Sequence, residues 1–170
     1  WPQAVNFSNS SSIPANWNMA TIDNYDWRFG DMTSGSGAST THAYSIANQY
    51  MDSLIVTTSD GCRDTLAETV QVFPKPVIDS VTGFVICWPQ AVDYQAFSVI
   101  PANWSSTTVT ATDWDFGDAN SASTNPTTHA FATANQYTYT YIVTTGDGCT
   151  DTMSAPVDIF PKPDIQNISE

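Results

Sequence analysis

The chain has 170 residues, 41% of them hydrophobic and only 12% charged, with Ser, Thr, Asn and Gln prominent among the rest; this is the make-up of folded protein, not of a disordered tail. Its 17 acidic residues against 4 basic ones leave a net charge of −13, which repels a phosphate backbone and an anionic membrane surface, so no nucleic-acid partner is expected. No run of 18 apolar residues occurs, so no membrane insertion is expected; residue 1 is a Trp, and the segment reads as part of something longer.

Every landmark occurs twice. Trp1-Pro2-Gln3-Ala4-Val5 returns as Trp88-Pro89-Gln90-Ala91-Val92, and Trp27 and Trp114, His42 and His129, Cys62 and Cys149, Phe73 and Phe160 share one ungapped offset (114 − 27 = 87). A fixed period of this length signals an array of small domains rather than one large core. Two are expected, at residues 1–76 and 77–170, each large enough for a single two-layer core and little else.

Short stretches of period-two alternation, separated by clusters of Gly, Pro, Asn and Ser, predict an all-β chain of two tandem antiparallel sandwiches in a linear array. Val5 and Phe7 share a face, as do Val92 and Tyr94. Trp27 and Phe29 face the core with Arg28 in water between them, and Trp114 and Phe116 repeat this around Asp115. The run from Tyr137 to Thr144 is β-branched and aromatic enough for a long central strand. In its counterpart from Tyr50 to Val56, Asp52 interrupts the apolar face, and that end of the strand is expected to be wet. Ser59-Asp60-Gly61 and Gly146-Asp147-Gly148 supply tight turns into a last strand ending near Phe73 and Phe160.

Repeat two opens with residues 77–87 as a strand that repeat one lacks, and residues 164–170 begin another such strand after Pro161-Lys162-Pro163. Two readings stand. Either the segment is a window on a long covalent array, or each tail completes the first module of the next copy, since an open sheet edge invites an added strand. Both make neighbouring copies, head to tail, the expected partner.

Asp113-Trp114-Asp115-Phe116-Gly117-Asp118, then Asn125-Pro126, His129-Ala130-Phe131 and Tyr137, resemble the PKD (polycystic kidney disease) domain. Asp26-Trp27-Arg28-Phe29-Gly30-Asp31, His42-Ala43-Tyr44 and Tyr50 carry the same pattern, so the resemblance covers nearly all of both repeats. Met32 and Ala119 stand where the family usually has Gly, and Gln49 and Gln136 replace the Gly that commonly precedes the strand Tyr. The resemblance implies Ig-like extracellular β-sandwiches strung in tandem on bacterial surface proteins, adhesins and secreted hydrolases.

Three cysteines are an odd count for a secreted chain. Cys149 follows the turn into the last strand and Cys87 ends the opening one, so these two are expected to bridge one module. Cys62, the equivalent of Cys149, would then pair with a Cys outside this segment; a Cys62–Cys87 bridge is the alternative. Asp31 and Asp118 are read as turn caps, with calcium the competing reading because some PKD-like modules hold it near acidic loops; no Asp-x-Asp-x-Asp cluster supports a metal. His42 and His129 are expected to be buried and hydrogen-bonded. Trp17 and Trp104, each in Ile-Pro-Ala-Asn-Trp, fit either a sugar-stacking platform or module packing.

Asn6, Asn9, Asn103 and Asn167 fit the N-glycan acceptor pattern. Ser53, Thr65, Ser80 and Thr152 stand in Asp-Ser/Thr-apolar triplets resembling O-glycosylation sites on some Gram-negative surface proteins, against the plain reading of strand residues. No cofactor is expected, and no convergent acid, base and nucleophile set points to an enzyme. The leading expectation is a structural unit of an extracellular fibre or long cell-surface adhesin. The alternative is a carbohydrate- or surface-binding accessory module.

Overall fold

The computed structural model describes residues 3–15, 19–83, 86–101 and 107–166. It divides into two compact units, Trp1–Pro74 and Lys75–Glu170. Lys75, at the start of the second unit, has its Nζ 2.6 Å from Asp151 Oδ1.

Unit 1 contains β1 (Gln3–Ser8), β2 (Ile22–Arg28), β3 (Ser34–Ser36), β4 (Ser39–Tyr44), β5 (Asn48–Thr58) and β6 (Arg63–Val72). One sheet has the order β3-β2-β5-β6 and the other pairs β1 with β4. The expected faces meet between them: Trp27, Phe29, Tyr44, Tyr50, Leu54 and Val72 are buried, with Val5 and Phe7 packed against them. Phe7 lies 5.4 Å from Trp27, ring to ring. Arg28 is exposed, as the alternation requires.

Unit 2 contains β7 (Val77–Thr82), β8 (Ile86–Cys87), β9 (Val92–Val99), β10 (Val109–Asp115), β11 (Ser121–Ala122), β12 (Thr127–His129), β13 (Asn135–Thr145) and β14 (Thr150–Phe160). Its sheets run β11-β10-β13-β14-β8 and β12-β9-β7. β13 is the long central strand read from sequence, flanked by β10 and β14. The core is built from Val92, Tyr94, Trp114, Phe116, Tyr141, Val143 and their neighbours. Each last strand is entered through a turn with a left-handed glycine, Gly61 at φ 81° and Gly148 at φ 78°. There Thr58 N–H donates to Cys62 O, and Thr145 N–H to Cys149 O, both at 2.9 Å.

Residues 77–87 are not one strand. β7 pairs antiparallel with β9, whereas β8 has crossed to the other sheet and runs parallel to β14, with Cys87 opposite Phe160. This overturns the expected Cys87–Cys149 bridge. Cys149 precedes the first residue of β14 and Cys87 sits beside its last; at ~3.3 Å per residue the intervening strand spans about 36 Å, against the ~7 Å between Cα atoms that a disulfide tolerates. Cys62, Cys87 and Cys149 form no disulfide with one another.

Asp52 corrects a second expectation. It is 4% exposed, in the core and not in water. Its Oδ1 accepts the Gly30 N–H at 2.8 Å and its Oδ2 accepts the Tyr44 hydroxyl. The unit 2 counterparts are Tyr139, Gly117 and Phe131, and there the Gly117 N–H goes to Asp115 Oδ1 instead, at 2.9 Å. Arg28, the counterpart of Asp115, has no acceptor to offer. Three substitutions between the repeats therefore compensate one another.

Candidate functional site

The Trp-x-Phe-Gly-Asp turn builds the same cluster in both units. In unit 1, Asp31 Oδ1 accepts the Thr33 N–H at 3.1 Å, while Oδ2 lies 2.7 Å from His42 Nε2 on β4. The His42 ring stacks flat on Phe29, with centroids 4.0 Å apart and planes 8° apart, and meets Tyr44 edge-on. In unit 2, Asp118 Oδ1 accepts the Asn120 N–H at 3.1 Å and Oδ2 lies 2.8 Å from His129 Nε2. His129 stacks on Phe116 at 4.1 Å and 4°, edge-on to Phe131.

Burial opposes ionisation of both carboxyls, but the hydrogen bonds outweigh it. Asp31 is held below its ordinary value by Thr33 and His42, and Asp118 by His129 and Asn120. Both oxygens of each carboxyl are engaged within the turn and across to the second sheet, so each cluster ties the two layers together. The turn-cap reading of Asp31 and Asp118 describes their geometry. Among the described residues no group of three or more metal-binding side chains occurs.

Two of the four residues that depart from the family pattern sit where glycine is favoured. Met32 has φ 71° and Ala119 has φ 69°. Gly117 itself is irreplaceable on two counts: its φ is +77°, and a Cβ would lie 2.4 Å from the Thr138 carbonyl oxygen on the central strand.

The second candidate is a groove of ≈ 630 Å³ in unit 1, reached between β1 and β6. Phe7, Trp27, Leu54 and Val70 form its apolar floor, with Ser8–Ser12 along one wall and Cys62–Leu66 along the other. Unit 2 fills the corresponding space with β7, whose Ile78 and Val81 pack on the core. The effect is visible in burial. Val143 and Val157 are buried in unit 2, while their counterparts Val56 and Val70 are only partly so, and Leu66 on β6 is 65% exposed. The strand bounds differ in the same sense: β9 extends to Val99, but β1 stops at Ser8, leaving residues 9–12, the counterparts of 96–99, outside any strand.

β7 is also held at its start. Asp151 Oδ2 accepts the Ile78 N–H at 2.9 Å and Oδ1 pairs with Lys75. Burial opposes the Asp151 charge; the bonds from Lys75 and Ile78 hold its carboxyl below the usual range nonetheless. Asp64 is the unit 1 counterpart and is exposed beside the groove.

The remaining sequence candidates are dispersed. Trp17, Trp104, Asn103 and Asn167 lie outside the described residues. Thr65 on β6 and Thr152 on β14 are exposed, whereas Ser53 and Ser80 are half-buried within strands. Asn6 is exposed and accepts from Thr41, and the Asn9 amide donates to Ala38 O. Sequence reading missed the groove wall at Ser8–Ser12; its signal was the serine run standing against Gln95-Ala96-Phe97-Ser98-Val99 in the other repeat.

Fold and clusters together define a tandem Ig-like β-sandwich protein. The PKD domain family profile matches residues 2–73 and again residues 75–159. The chain belongs to the PKD domain family and carries two copies. No curated protein matches it. Among solved structures it is similar to the PKD1 domain of Vibrio anguillarum Epp, at 20% identity over 52% of this chain and 96% of that one, with a TM-score of 0.44. The PKD1 domain of the Vibrio cholerae metalloprotease PrtV gives 20% identity over 52% and 99%, with a TM-score of 0.41. The Clostridium thermocellum CbhA fibronectin(III)-like modules give 15% over 94% and 87%, with a TM-score of 0.43.

Proposed function

We propose that this chain is a non-enzymatic structural segment of a bacterial extracellular fibre or long cell-surface adhesin, its units joined head to tail. The observation that carries this reading is the repetition of one layer-tying cluster in both units. Both units spend the same Asp, His and aromatic side chains on the same tie between layers, at 2.7 and 2.8 Å, which is what an array selected for its mechanics would keep. The Pro-Lys-Pro linker adds to the case: each proline fixes φ, and the lysine is pinned by Asp151.

Immunogold electron microscopy of the producing bacteria, with antibody raised against residues 1–170, tests this. Label strung along extended surface structures is expected. Label confined to the cell interior would refute it. Saturable binding to a polysaccharide, lost in Trp17→Ala or Trp104→Ala, would favour an accessory binding module instead.

A further inference from the structure

We infer that the unit 1 groove is a docking site for residues 162–170 of a second copy of this chain, which enter it as a β-strand in the place that β7 holds in unit 2. The inference rests on the head-to-tail reading above and specifies its joint.

The repeat fixes the register. Aligned on Pro-Lys-Pro, Lys162 corresponds to Lys75, Ile165 to Ile78 and Ile168 to Val81. Ile78 and Val81 are the residues β7 packs on the unit 2 core. Ile165 is 79% exposed, an apolar side chain spaced to reach the floor formed by Trp27 and Leu54. β7 pairs Val77 with Val99, Ile78 with Ser98 and Thr82 with Gln95. Shifted by the repeat, the same ladder places Asp164 opposite Ser12, Ile165 opposite Ser11 and Ser169 opposite Ser8, along the wall of the groove.

Charge agrees with register. Asp151 takes both the Lys75 ammonium and the Ile78 N–H. Asp64 stands at the same place on β6, ready to take Lys162 and the Ile165 N–H. The added strand completes the unit 1 sheet beside β1, so residues 9–12 extend that strand as 96–99 extend β9. Main-chain bonds then supply the pairing and two apolar side chains the specificity, the usual division of labour when a strand is added to a sheet edge.

Directed cross-linking tests the joint. Two chains are made with Cys62, Cys87 and Cys149 replaced by Ser, one carrying Ser12→Cys and the other Asp164→Cys. Residues directly opposite in an antiparallel pair lie within the Cα separation a disulfide accepts. Mixing them under mild oxidation is expected to give a disulfide-linked heterodimer on non-reducing gels. A synthetic peptide of residues 161–170 should suppress it, and Ile165→Asp in the donor should reduce it at least tenfold. Monomers only, or cross-linking indifferent to both the peptide and Ile165→Asp, would overturn the proposal. If immunogold still marks surface fibres in that event, the structural reading survives without this joint.

Discussion

Asp52→Ala probes the least expected feature of the core. Tyr44, with 0% exposure, would lose its hydroxyl's acceptor, and the Gly30 N–H its partner. An orphaned buried donor costs about 1–3 kcal/mol, and the exposed Gly30 amide less because water replaces the bond, so about 2–3 kcal/mol in all is expected. For a module of this size that lowers Tm by about 10–20 °C. Differential scanning calorimetry of the intact chain reads it, with the unit 2 transition as internal standard. The triple substitution Arg28→Asp, Tyr44→Phe, Asp52→Tyr transplants the unit 2 arrangement and should come back to within about 1 kcal/mol of the parent, because the coupled terms cancel. A fall below about 3 °C for Asp52→Ala, or a graft as unstable as the single mutant, would show that these positions do not form one compensated set.

Gly117→Ala should be far more damaging than a surface change, by about 3 kcal/mol or more, since it adds left-handed strain to a contact with the Thr138 carbonyl; urea denaturation checks this. Ala119→Gly should act in the opposite direction, raising unit 2 stability by about 0.5–1 kcal/mol as relief at φ 69° exceeds the entropy glycine adds to the unfolded chain. Acid should weaken both units: the carboxyls of Asp31, Asp118 and Asp151 are held below the ordinary value of 3.8 in the folded state. Their contribution is therefore complete above that value and lost as pH falls from it through the lowered ones. A pH titration of Tm from 7 to 2 should be flat in its upper part and drop below about pH 4, and Asp118→Asn should shrink the drop in unit 2.

Much of the architecture was legible because it is local and periodic. The alternation around Trp27 and Trp114, the long central strand and the glycine turns depend on neighbours a few residues apart. What was hidden depends on partners far away in sequence. The Gly30 N–H that Asp52 satisfies is 22 residues distant, and its need arises from Arg28 two residues before it. Comparing the repeats at positions 28, 44 and 52 would have exposed the pattern, since all three change together. The break between β7 and β8 was equally obscure: one apolar run serves two sheets, and its crossing separates Cys87 from Cys149. The groove lies where unit 1 has no counterpart of β7, whose Ile78 and Val81 pack on the unit 2 core.

Amide hydrogen exchange on residues 9–12 and 96–99 of the intact dilute chain tests most directly the claim that both units are one sandwich and that β7 covers in unit 2 the edge left open in unit 1. The account predicts fast exchange at 9–12, slow exchange at 96–99, and slowing of 9–12 when the peptide 161–170 is added. Equal protection of the two segments without peptide, or no response to it, would contradict the account.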